Sequence, residues 1–109
     1  MMKAESDQWL ALVDAGDYNK AYDGLAASTK KELARAQFVE STQKLRDYVG
    51  KLQMRKFKSV EFATNPPGPP DGQYSAVQYE TSFENRPVTE AVAFRLDDGK
   101  WGVIGYYMR

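Results

Sequence analysis

The sequence predicts an α+β fold, with three N-terminal helices covering one face of a four-stranded antiparallel sheet. Apolar residues recur at helical spacing up to Val49, and from Leu52 the period changes to two. Turn-forming clusters at 65–72, 84–87 and 97–100 then divide the second half into four strands. Helices first and strands afterwards place the helices together on one side of an antiparallel meander. At 109 residues the chain makes one such domain, helical over about 6–49 and sheet over about 52–108.

Trp9, Leu10, Leu12 and Val13 predict a first helix over about Ser6–Ala15. In "DAGDY" (14–18), Gly16 follows the last apolar turn, where a left-handed residue closes a helix at little cost. Asp17 is suited to cap the next helix, and Asp14 is expected in an exposed last turn. The two carboxylates lack the alternating oxygen ligands of a calcium loop, so no metal role is assigned to them. Tyr18, Ala21, Tyr22 and Leu25 give the stripe of a short second helix. Thr29 and Glu32 have the form of a capping box, so the third helix starts either there or near Ala34. Its apolar face carries Phe38, Thr42, Leu45 and Val49, and Gly50 ends it.

Strands are expected at 52–63, 73–84, 88–97 and 100–108. "NPPGPPDG" (65–72) cannot continue a ladder, and Asp98-Gly99 suits a two-residue hairpin. In the second strand Ser75, Val77, Tyr79, Thr81 and Phe83 share the inner face, and in the third Val92, Phe94, Leu96 and also Glu90 do so. An inward carboxylate must be paired, hydrogen-bonded or neutralised. In the first strand apolar residues change face around Lys58, which predicts a bulge. The last strand is apolar on both faces, with Trp101, Val103 and Tyr107 on one and Ile104, Tyr106 and Met108 on the other. Such a strand is central or covered on its second side, and with Ala91 and Ala93 the outer set forms a candidate homodimer surface.

The chain has neither cysteine nor histidine. Disulfides, thiol nucleophiles, imidazole shuttles and the usual serine and cysteine triads are excluded. Fifteen basic and fifteen acidic residues cancel, so charge points to neither a nucleic-acid partner nor an anionic membrane. "KLQMRKFK" (51–58) is explained by one strand with a solvated basic face, and "PPGPP" by a stiff loop. No apolar run approaches the ~18 residues of a membrane span, no signal peptide is seen, and no cofactor is implied.

The stretches "WLALVDAGDYNKAY", "LRDYVGKLQMRKFKSV", "PPGPPDGQYSAVQYETSFENR" and "EAVAFRLDDGKWGVIGYYMR" resemble a bacterial family, domain of unknown function 4019. The resemblance runs from Trp9 to Met108. Its most specific parts are the strand motif of Tyr79, Thr81 and Phe83 and the terminal D-G-x-W-x-V-x-G-Y-Y. "LARA" (33–36) departs from the polar cap that usually opens the third helix. Such domains look like the nuclear-transport-factor-2 and cystatin-like α+β superfamily, whose curved sheet and helices form a cone with a pocket. The resemblance implies that fold, frequent dimers and export to the periplasm after signal cleavage; it implies no activity.

Arg55, Tyr79, Thr81, Glu90 and Tyr107 are the polar groups that the alternation turns inward, and they form the candidate ligand-binding set. Arg55 could grip a ligand carboxylate and Glu90 accept a donor. The competing expectation is an Arg55–Glu90 ion pair in an ordinary core. Three functions follow: a non-catalytic domain binding a small ligand or partner in the cone, which is preferred; a lyase or isomerase of ketosteroid-isomerase type with Glu90 as general base; or a dimerisation module with a filled core. A tyrosine beside Glu90 is the nearest equivalent of that enzyme's oxyanion hole, a system often used to illustrate carboxyl tuning.

Overall fold

A computed structural model describes residues 2–109. Its elements are α1 (Met2–Asp14), α2 (Tyr18–Asp23), α3 (Ala27–Glu32), α4 (Arg35–Val49), β1 (Leu52–Thr64), β2 (Gln73–Phe83), β3 (Pro87–Asp97) and β4 (Lys100–Met108). The fold is α+β, and the antiparallel sheet has the order β1-β2-β3-β4 of a simple meander.

Four helices replace the three expected from sequence. Thr29 caps nothing; it lies inside α3, and the chain turns extended at Leu33 and Ala34 before α4 begins. Two side chains fill the break. The Tyr22 hydroxyl donates to the Leu33 carbonyl at 2.6 Å, and Gln37 Oε1 accepts the Ala34 N–H at 3.3 Å. The α1–α2 joint follows expectation: Gly16 has φ +77°, and the Asp17 carboxylate accepts the Lys20 N–H at 3.3 Å. A glycine there avoids the strain that a β-carbon meets in the left-handed region.

Trp9, Leu10 and Val13 of α1 and Phe38 of α4 join Val77, Tyr79, Val92, Phe94 and Val103 of the sheet in the main core. A satellite cluster of Val49, Phe83 and Val88, with Leu52 and Met108 against it, closes the other end. On α4 the buried positions are Phe38, Thr42, Arg46 and Val49, so Arg46 turns inward where Leu45 was expected.

Three irregularities set which side chains face the helices. The expected bulge falls at Lys58, between the pairs Phe57–Tyr79 and Ser59–Gln78, and puts Val60 and Phe62 on the face of Val77 and Ser75, where Val60 is half-buried and Phe62 stays exposed; a second lies near Gln53. The third was not foreseen. Phe94 pairs with Val103 and Ala93 with Gly105, leaving Ile104 as an extra residue in β4. Because side chains alternate, one extra residue exchanges the faces of everything after it.

That exchange overturns two expectations. Tyr107 points outward and is 56% exposed, whereas Tyr106 and Met108 pair with the inner-face residues Val92 and Glu90. Tyr106 and Met108 therefore leave the expected outer-face set, where Ala91 and Ala93 remain. β4 is also the sheet's edge rather than a central strand. Residues 24–26 cover part of that edge: the Ala26 N–H donates to the Val103 carbonyl at 2.8 Å, and the Val103 N–H to that of Gly24 at 3.1 Å. A β-carbon at Gly102 would lie 2.7 Å from Ala26 Cα, so this close approach requires glycine.

Candidate functional site

The polar centre of the inner face is built around Glu90, which β3 places opposite Tyr79 and which has no exposed surface. Its Oε1 accepts Arg55 Nε at 2.7 Å and the Thr81 hydroxyl at 2.6 Å. Its Oε2 accepts Arg55 Nη2 at 3.2 Å and the Tyr106 hydroxyl. Arg55 thus binds bidentately, and the roughly four lone-pair positions of a carboxylate are all occupied.

The other edge of the Arg55 guanidinium meets Asp14 at the end of α1. Nη1 donates to Oδ2 at 2.7 Å and Nη2 to Oδ1 at 3.1 Å. Arg46, 8% exposed, donates from Nη1 to the same Oδ1 at 2.9 Å. Two arginines and two carboxylates alternate as Arg46–Asp14–Arg55–Glu90, a neutral set that links α1, α4, β1 and β3. Aromatic rings flank both cations: Arg46 stands 4.9 Å from the centroid of Phe83 and Arg55 5.8 Å from that of Tyr79. Arg46 Nε is buried without a partner.

Proton affinities follow from this arrangement. Burial works against the Asp14 carboxylate, but hydrogen bonds and charge from Arg55 and Arg46 outweigh it and hold its pKa below the usual value. Burial likewise disfavours the Arg55 cation, yet Asp14 and Glu90 raise its pKa. The Tyr106 phenol is pushed up by burial and then by the charge of Glu90. The Tyr79 hydroxyl lies 2.9 Å from Ser6 Oγ and 2.7 Å from Asp7 Oδ1. Its pKa is also raised, by burial first.

Of the residues named from sequence, Arg55, Thr81 and Glu90 meet directly. Tyr79 is adjacent but bonds toward α1, and Tyr107 turns away from Glu90 to the other face of β4, though it is among the residues lining the cavity described next. Sequence reasoning missed Asp14, Arg46 and Tyr106. Asp14 does end α1 in an exposed turn, as expected, but its side chain is only 24% exposed and doubly ion-paired, a role that expectation did not include. Arg46 did carry a signal: it sits four residues after Thr42 and three before Val49, on their stripe.

A second feature lies beside this cluster. A cavity of about 350 Å³ opens between α4 and β4, with Trp9, Phe38, Leu45 and Tyr106 among its walls. Among the described residues, no group of three or more acidic side chains is placed to hold a metal ion. None of the described helices is long and apolar enough to cross a membrane.

Residues 5–106 match the family model described as "Protein of unknown function (DUF4019)". No curated protein matches the chain.

Proposed function

Because this chain belongs to the DUF4019 family, described as of unknown function, the chemistry of its own residues must carry the functional reading, and we propose a non-catalytic binding domain. In this proposal the helices and sheet form a cone of nuclear-transport-factor-2 type that acts outside the cytoplasm, takes a small ligand and dimerises through the outer face of the sheet. The observation behind it is the saturation of Glu90. A general base needs a free lone pair within reach of its substrate. Both oxygens of Glu90 already accept two donors each, and the residue has no exposed surface. The four-residue charge set then acts as a brace that orients helices over the sheet, which leaves recognition to apolar surface nearby.

Native mass spectrometry of the protein isolated from its own host tests this proposal. The expected result is a small molecule bound at one per chain. Protein carrying nothing, across several growth conditions, would count against a binding domain and favour a module with a filled core. Turnover of an enolisable ketone that is lost in Glu90→Gln would restore the isomerase alternative.

A further inference from the structure

Resting on the proposal of a binding domain, we infer that the cavity between α4 and β4 takes a small uncharged molecule with an apolar body and one hydrogen-bonding group. About 350 Å³ falls within the ~300–1,000 Å³ of ordinary small-molecule sites. None of the side chains lining it is charged. An ion entering it would lose hydration with nothing in return, so a neutral occupant is selected.

The walls are held in place by bonds that point away from the cavity. Trp9 Nε1 donates to the Ala21 carbonyl at 2.9 Å, and the Tyr106 hydroxyl is held by Glu90. Trp9 also meets Tyr106 edge-on at 5.5 Å and Phe38 at 6.3 Å. With their polar ends engaged elsewhere, both walls offer apolar ring surface in a fixed arrangement, which reduces the ordering cost of binding. Hydrogen bonding falls to the side-chain hydroxyls of Thr29, Thr42 and Tyr107, which donate or accept by rotation, and to Ser41 Oγ, which donates to the Phe38 carbonyl at 3.3 Å and can still accept. Apolar rings and rotatable hydroxyls without charge fit an alcohol, phenol or amide; they do not fit a carboxylate, phosphate or amine.

The probes are 2-naphthol and 2-naphthoate, similar in shape and different in charge. Calorimetric titration of the intact protein should show 2-naphthol binding and 2-naphthoate binding about tenfold or more weakly. Amide-correlation NMR should place the 2-naphthol shifts at Thr42, Leu45, Tyr106 and the Trp9 indole. Leu45→Trp, which fills the cavity from its half-buried wall, should abolish binding. If that variant also loses stability, the NMR map decides alone. Shifts confined to other residues, equal affinity for the two probes, or no 2-naphthol binding would each overturn this site. Should native mass spectrometry then still find a ligand, the binding-domain proposal stands and only its location and chemistry fall.

Discussion

Asp14 and Glu90, far apart in the sequence, are held by the single guanidinium of Arg55, one on each edge of its plane. Arg55 thereby ties the end of α1 to the middle of β3. Glu90→Gln would keep the shape of that contact but remove a charge that Arg55 needs in a buried setting. We expect a loss of about 3 kcal/mol, because a buried charge is left incompletely paired. Chemical denaturation measures it, and a change near zero would mean that Glu90 faces solvent.

Tyr106→Phe and Tyr107→Phe separate the two faces of β4. The first removes a buried hydroxyl from a carboxylate and should cost about 2 kcal/mol. The second removes a hydroxyl from a half-exposed ring and should change stability by no more than about 0.5 kcal/mol. Equal losses, or a larger loss for Tyr107→Phe, would move the bulge away from Ile104.

Asp14→Asn should cost about 2 kcal/mol at neutral pH, since three charge-assisted hydrogen bonds, from two arginines, lose their anion. The difference from the unaltered protein should depend on pH. A carboxylate whose folded pKa is depressed contributes stability above its unfolded pKa, near ~3.9, and loses it as pH falls through the folded value. The gap between the two proteins should therefore be constant above pH ~5 and close as the solution is made more acidic than pH ~4. A gap that instead closed toward alkaline pH would contradict the ion pairs.

Asp17→Ala removes the side-chain cap of α2 and should lower the unfolding free energy by ~1 kcal/mol. Ligand binding, measured by the same titration as above, should remain. Loss of binding with stability intact would give "DAGDY" a functional role that capping does not explain.

Ala93→Arg tests the proposed dimer. Ala93 lies on the outer face near Ala91 and Tyr107, opposite the helices. Sedimentation of the unaltered protein should give twice 12.3 kDa, and the variant 12.3 kDa. A monomer in both cases would remove the dimer from the proposal.

Much of this architecture was legible in the residues because it depends on local signals. The change of period at Leu52, the turn at Asp98-Gly99 and the bulge at Lys58 each alter a pattern within a few neighbours. Arg55, Thr81 and Glu90 could be placed on one face by alternation alone. The extra residue at Ile104 could not. Every residue from Trp101 to Met108 except Gly102 and Gly105 is apolar or aromatic, so neither face stands out as polar and a shift leaves no trace in the pattern. Asp14 was unreadable for another reason: its partners lie on α4 and β1, and only the packing of α1 across the sheet brings them near.

The arginine–carboxylate set also bears on the order in which the molecule assembles. Each link joins segments separated by more than thirty residues, while the strand meander joins neighbours in the chain. Loop closure delays distant contacts, so the sheet can form its ladder before the arginines find their acids. Until they do, apolar contact alone holds the helices, and such contact is non-directional. On that order the last step of folding is expected to be a change from a loose apolar association to one orientation, and amide exchange in α1 and α4 should become slow only when it is complete.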